Sequence, residues 1–212
     1  DYIGWSFYGT DALETIELPD SVTAIYNGAF ACSGLTSLEL PSKLHTLGTY
    51  VLFGNTGVKS IFLPNTINEL TEPTPWGSPG PFYGSGIETA ELEAGSTRLY
   101  SYCFNGASRL QRVTLPNSLT QIQDYAFQNC TALVSADVPN NVTGIGAYAY
   151  YNCKSLQQIS LSASLTSIGD YAFAGCSSLA SITIPEGVTS IGQNAFSKCS
   201  SLASITIDSR LP

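Results

Sequence analysis

Four carboxylates recur in one local setting, each between two apolar residues: Ile16-Glu17-Leu18, Leu38-Glu39-Leu40, Ala90-Glu91-Leu92 and Ala136-Asp137-Val138. Paired acids about 5 Å apart are the equipment of a retaining glycosidase, one acting as nucleophile and the other as acid and base. Two features argue against that chemistry here. Phe62 takes the acid's place in Ile61-Phe62-Leu63, and Thr114, Ser160, Thr183 and Thr206 take it in the remaining copies. A ladder of repeats also brings equivalent side chains to that spacing whatever they do. The single histidine, His45, stands where other copies carry Thr120, Thr143, Thr166 and Thr189, and nothing marks a serine and an acid as its triad partners. A Walker loop and a Gly-x-Gly-x-x-Gly turn are both missing, so no cofactor is expected. The chain reads as a non-enzyme. Its acidic row is either one end of a binding face or plain solvated surface.

The six cysteines form an even number, which invites a disulfide framework. Their positions point elsewhere. Cys130, Cys153, Cys176 and Cys199 fall in one column, with Cys32 close to it. Residues in one column point the same way, within bridging distance but poorly oriented for a bridge. Free, buried thiols packing as small hydrophobes are expected. A zinc site has no Cys-x-x-Cys to start from.

What must position these side chains is a repeat. "CSSLASITI" occurs at Cys176–Ile184 and again at Cys199–Ile207, an offset of 23. Units begin at Leu13, Leu35, Val58, Ile87, Leu110, Leu133, Leu156, Leu179 and Leu202, the last of them truncated, after a half-unit over residues 1–12. Each follows L-x-x-I-x-L-P-x-x-V-T-x-I-G-x-x-A-F-x-x-C. The Ile-x-Leu alternation predicts a short strand with one face inward, and the proline after it ends the strand. The V-T-x-I-G segment alternates likewise and predicts a second short strand, with Gly146, Gly169 and Gly192 permitting the turn. The A-F-x-x-C segment predicts one helical or 3₁₀ turn. No unit buries its own apolar column, so the units must stack into a solenoid. The expected fold is a single, mainly β solenoid over residues 1–212, wound in right-handed parallel coils of 23 residues. The truncated last unit carries no polar cap, and either the parent protein is expected to continue beyond it or another chain is expected to cover this end.

One segment breaks the period: "EPTPWGSPGP" at Glu72–Pro81. Leu70 to the aromatic Phe82 spans 12 residues where Ile122 to Phe127 spans 5, so about 71–81 is an insertion inside one coil and not a linker. Insertions in solenoids map to loops on one face, often the binding face. Trp76 has no repeat column of its own and is either a lid or a contact for a partner; Tyr83 follows the loop directly. Tyr50, Tyr102, Tyr125, Tyr148 and Tyr171 share a further column, which either shields the ladder beneath it or offers an interface.

The repeat resembles the leucine-rich repeat of BspA-like type, also called the Treponema pallidum type. "LQRVTLPNSLTQIQDYAFQNC" at Leu110–Cys130 shows the pattern well. Departures are Leu52 and Tyr150 in the phenylalanine column, Glu93 and Ala107 in the unit from Ile87, and the insertion. The resemblance implies a surface or secreted protein of a host-associated bacterium or protist, linked with adhesion. It supplies no binding motif to carry over.

Charge narrows the partners. Net charge is −8, all of it in residues 1–106, and charged residues are only 11% of the chain. Nucleic acid is excluded as a partner, because phosphate binding needs a basic surface. No run approaches a membrane span. The expected function is an extracellular or cell-surface adhesion module that recognises a protein or glycan on host or neighbouring cells; the alternative is a spacer in a larger surface protein. The residues expected to meet a partner are Trp76, Tyr83, Phe62, Glu17, Glu39 and Glu91.

Overall fold

A computed structural model describes residues 5–70 and 79–208. The chain winds as a parallel β-solenoid, and the expected 23-residue coil is the unit of its register. One side of the coil is the Ile-x-Leu ladder. Its strands are Ser60–Leu63, Thr89–Leu92 and Arg112–Thr114, then Ser135–Asp137 with Gln158–Ser160, then Ser181–Pro185 with Ser204–Asp208. Inward residues face their equivalents one coil on: Ile61 opposite Ala90, Ala90 opposite Val113, and Ile182 opposite Ile205. The second side is a ladder of two-residue strands, running from Ala24–Ile25 through Thr46–Leu47 to Glu69–Leu70, and from Arg98–Leu99 to Ser190–Ile191. Polar outward and apolar inward residues alternate on both ladders, and this alternation places the core between them.

Register survives the insertion. Leu63 pairs with Leu92, an offset of 29 where Ile182 and Ile205 are offset by 23. The net lengthening is thus one residue less than the Leu70–Phe82 count implies, because Phe82 reaches Ile87 in fewer residues than Phe127 reaches Leu133. Across the insertion the Tyr50 N–H donates to Gly80 O at 3.1 Å and the Leu52 N–H to Pro81 O at 3.2 Å.

Two expectations fail. The segments around Leu13–Leu18 and Leu35–Leu40 form no strand. They are joined by single links such as Thr36 N–H to Glu14 O, 3.0 Å, and not by a run of ladder bonds. Among the described residues the third side also contains no helix or 3₁₀ helix, only single i→i+3 turns. In the Tyr125–Cys130 stretch the N–H groups of Tyr125, Phe127 and Asn129 donate to Ala147, Ala149 and Tyr151 of the next coil at 2.7–2.9 Å. Those of Gln128 and Cys130 turn back to Tyr125 and Phe127 at 3.1 Å. Tyr125 (φ 59°) and Asn129 (φ 60°), two of the three residues whose N–H groups run along the solenoid axis, have left-handed backbone.

The glycine after the second strand has a different task from the one expected. Gly146, Gly169 and Gly192 are absent from the positive-φ positions. A Cβ at Gly169 would lie 2.5 Å from Ala147 N and 2.6 Å from Gly146 C, so close stacking of the coils, and not turn geometry, demands glycine.

Phenylalanines fill the core as a ladder of parallel rings. Centroids lie 5.6 Å apart for Phe82–Phe104, 5.5 Å for Phe104–Phe127, 5.0 Å for Phe127–Tyr150, 5.2 Å for Tyr150–Phe173 and 5.4 Å for Phe173–Phe196. Each fully buried ring is worth about 1.5–3 kcal/mol of burial, and a good ring pair about 0.5–1.5 kcal/mol more. Tyr150 departs from the pattern at a cost. Its ring is fully buried, and its hydroxyl lies against the thiols of Cys130, Cys153 and Cys176 with no hydrogen-bond partner among the described residues. Burial pushes that phenol well above its ordinary pKa. Tyr150→Phe restores the column and removes an unsatisfied buried group, so it is expected to stabilise by about 1–2 kcal/mol. Urea denaturation of the two proteins side by side checks this, and a less stable Tyr150→Phe would contradict it.

Candidate functional site

The acidic row is only partly assembled. Glu91 is exposed on Thr89–Leu92, with Phe62 on one side and Thr114 on the other as register partners. Phe62 is 47% exposed, a large apolar ring standing on an otherwise polar strand face. Glu17 and Glu39 are exposed but lie outside any strand, and Asp137 pairs with Ser160 further along. Of the expected residues on this face, Phe62 and Glu91 are register partners in a strand ladder, whereas Glu17 and Glu39 belong to coils without a strand on this side. His45 is exposed too, in a column whose other members have a mechanical role. The hydroxyls of Thr120, Thr143, Thr166 and Thr189 donate to the carbonyls of Thr97, Thr120, Thr143 and Thr166 at 2.9–3.4 Å, tying coil to coil.

The cysteine column is also mechanical. All six cysteines are free. Cys130, Cys153, Cys176 and Cys199 donate their S–H to the carbonyls of Phe104, Phe127, Tyr150 and Phe173 one coil back, at 3.1–3.2 Å. In the N-terminal coils the same column is polar. Ser33 and Ser85 donate to Phe30 O and Phe82 O at 2.8 Å, and Asn55 occupies the place between them. Cys32 lies one residue before the column, in left-handed backbone at φ 53°, and Ser33 takes the column position. Burial raises the Cys103 thiol to about 12 and pushes those of Cys130, Cys153 and Cys176 up as well. The thiolate is the reactive form, so these four are protected both by access and by protonation. In native protein at pH 8 they are expected to resist a maleimide that labels all six in urea. Rapid native labelling of Cys153, read by mass spectrometry, would contradict this.

The turn side carries the richer surface. Tyr102, Tyr125, Tyr148 and Tyr171 are half-buried and stack at 4.6, 5.1 and 4.8 Å with interplanar angles of 5–9°. Asn194, next in the column, closes the stack by donating to the Tyr171 hydroxyl at 2.9 Å. Tyr83 is 38% exposed; its ring is edge-on to Tyr50 at 5.6 Å and roughly parallel to Phe53 at 6.3 Å. It lies over Gly106, where φ is 74° and a Cβ would collide with the ring. Trp76 lies outside the described residues. Beside these aromatics a cavity of about 370 Å³ opens, lined by Tyr50, Pro79, Tyr83 and Tyr102 with the amides Asn105, Gln128 and Asn129. Phe53 and the three amides had no place in the sequence reading. The signal that could have found the cavity is Gly80, two residues before Phe82, where Tyr50 precedes Leu52 and Tyr102 precedes Phe104.

Several solved structures share this architecture. The chain is similar to the T. pallidum leucine-rich-repeat protein, with 27% identity, 70% of each chain covered and a TM-score of 0.60. A leucine-rich-repeat protein from Bacteroides ovatus is 23% identical over 96% of this chain and 69% of that one, with a TM-score of 0.53. The pneumococcal vaccine antigen PcpA is 21% identical over 88% of this chain and 54% of its own, also at 0.53. These last two likenesses are of fold alone. None of the curated proteins matches the chain. The model of the BspA type leucine rich repeat region matches in six copies over residues 3–74 and 78–203, missing only Pro75-Trp76-Gly77 within the insertion. With that match covering nearly its whole length, the chain belongs to the BspA-type leucine-rich-repeat family.

Proposed function

We propose that the chain is a binding module of a cell-surface or secreted protein and that its work is recognition, not catalysis. The observation that carries this reading is the exposed Phe62 ring beside Glu91 on a continuous strand face. An apolar anchor with a charged neighbour on a rigid element is the form of an interface hot spot. The ladder bonds fix the pair before a partner arrives, which lowers the ordering cost of binding. An extracellular setting fits a chain with 11% charged residues whose wet surface is built mainly from Ser, Thr, Asn and Gln. The partner is a protein or a glycan displayed on host or neighbouring cells.

The test is binding of the purified chain to immobilised matrix proteins, whole cells and a glycan array. Saturable binding that Phe62→Ala weakens about tenfold, close to the size expected of a hot spot, supports the reading. Absence of binding to every surface would overturn it and leave a spacer in a larger surface protein.

A further inference from the structure

The tyrosine stack on the turn side has a missing ring. Counting two residues before each buried residue of the phenylalanine column gives Tyr50, Gly80, Tyr102, Tyr125, Tyr148 and Tyr171. Parallel stacking at 4.6 Å and 5° fixes the Tyr102 ring across the solenoid axis, with one face on Tyr125. Its other face is directed along the column toward the coil where glycine replaces tyrosine. The cavity of about 370 Å³ opens beside it, walled by Tyr50, Tyr83, Tyr102 and Tyr125; Gly80 itself is outside this lining and packs on the next coil, where a Cβ would meet Tyr102 O. The cavity is at the small end of the roughly 300–1,000 Å³ typical of small-ligand sites.

Its lining selects a chemistry. Among the described residues no Asp, Glu, Lys or Arg lines it, so a charged ligand would lose water and gain no counter-ion from them. The aromatic walls suit a flat, apolar face. The rim supplies amide donors and acceptors from Gln128 and Asn129. The Asn129 Oδ1 already accepts from Asn152 Nδ2 at 3.2 Å, which orients its own Nδ2 as the donor. A neutral pyranose matches both demands: its C–H face lies on an aromatic ring, and its hydroxyls both give and take hydrogen bonds. An aromatic peptide side chain satisfies only the first. The site is also built in advance. Tyr102 is held in left-handed backbone at φ 63°, and Tyr83 is seated over Gly106.

We propose that the notch beside Pro79, between Tyr50, Tyr83 and Tyr102, is a binding site for an uncharged pyranose unit of a glycan. This deepens the reading of the chain as a binding module and rests on it. The site is distinct from the Phe62–Glu91 face.

The experiment is NMR titration of the whole chain with neutral gluco-, manno- and N-acetylglucosamine oligosaccharides. A sialylated oligosaccharide and a Phe-containing peptide run beside them. The expected result is saturable shifts at Tyr102, Gln128 and Asn129 with the neutral sugars, little changed by added salt. Affinity should fall at least about tenfold in Tyr102→Ala and Asn129→Ala and be kept in Tyr102→Phe. Asn129→Ala keeps the test valid if Tyr102→Ala fails to fold. Absence of shifts with any neutral sugar overturns the proposal, as does tighter binding of the peptide or unchanged affinity in Asn129→Ala. A blank sugar titration beside Phe62-dependent binding to a protein would remove the glycan site alone. Blank results on both would remove the binding module with it.

Discussion

Phe127→Ala is expected to lower the unfolding free energy by about 3–5 kcal/mol, the range for deleting a buried phenylalanine. Phe127 is fully buried and sandwiched between Phe104 at 5.5 Å and Tyr150 at 5.0 Å. Truncation removes its own burial and one face of contact from each neighbour. The neighbours cannot close the gap, because hydrogen bonds between the coils fix their spacing: Phe104 N–H to Ala126 O at 2.8 Å and Phe127 N–H to Ala149 O at 2.7 Å. The cavity therefore persists, which puts the loss toward the upper part of the range. For a chain of this size the melting temperature falls by about 2–4 °C for each kcal/mol. Phe196 is only partly buried at the end of the same ladder, so Phe196→Ala should cost clearly less. Equal losses in the two variants, measured by urea denaturation, would mean that the ring ladder is not the continuous core described.

Asn55→Ala is expected to cost about 3 kcal/mol through a different mechanism. Asn55 is fully buried in the column that holds cysteine further along. Its Nδ2 donates to Ser33 O at 2.9 Å and Leu35 O at 3.1 Å, and its Oδ1 accepts from the Val58 N–H at 3.0 Å. Alanine leaves three backbone groups unserved where water does not reach, at about 1–3 kcal/mol for each one left unpaired. Asn55→Asp separates donor from acceptor. The Val58 bond survives, both donations are lost, and a buried charge is added, so Asp should be no better than Ala. A loss below about 1 kcal/mol in Asn55→Ala would show that these carbonyls find other partners.

The two variants also mark what the sequence made legible. The phenylalanine column is written in the chain as one large apolar residue at a constant interval. Ring size and period alone predict that Phe104, Phe127, Tyr150 and Phe173 meet. The column of Ser33, Asn55, Ser85 and Cys130 was half visible. As a row of cysteines it read as apolar packing, but everywhere except Ala107 its task is to donate to carbonyls, and Ser, Asn and Cys do this with different atoms over different reaches. Composition conceals such a shared role. The left-handed backbone of the tyrosine column was invisible for a similar reason. Tyr125 and its equivalents adopt positive φ although tyrosine has no intrinsic preference for it, so residue type gives no sign of it. Phe62 beside Glu91 followed from register, whereas Tyr83 beside Phe53 and Tyr50 required the path of the chain after the insertion. The neighbourhood of the notch could be located by counting to Gly80, but its lining amides come from two further coils, Asn105 and Gln128 from one column and Asn129 from another.

The central claim is that hydrogen bonds between successive coils run past the insertion on the Ile-x-Leu and turn sides, although the second-side ladder breaks between Glu69–Leu70 and Arg98–Leu99. Native-state hydrogen exchange of the Tyr50 and Leu52 amides, which donate to Gly80 O and Pro81 O at 3.1 and 3.2 Å, tests it most directly. Protection should match that of the Phe127 amide in the middle of the ladder, since all three would open only with the stacked core. Exchange of Tyr50 and Leu52 at the rate of an unfolded chain, while Phe127 stays protected, would contradict the account.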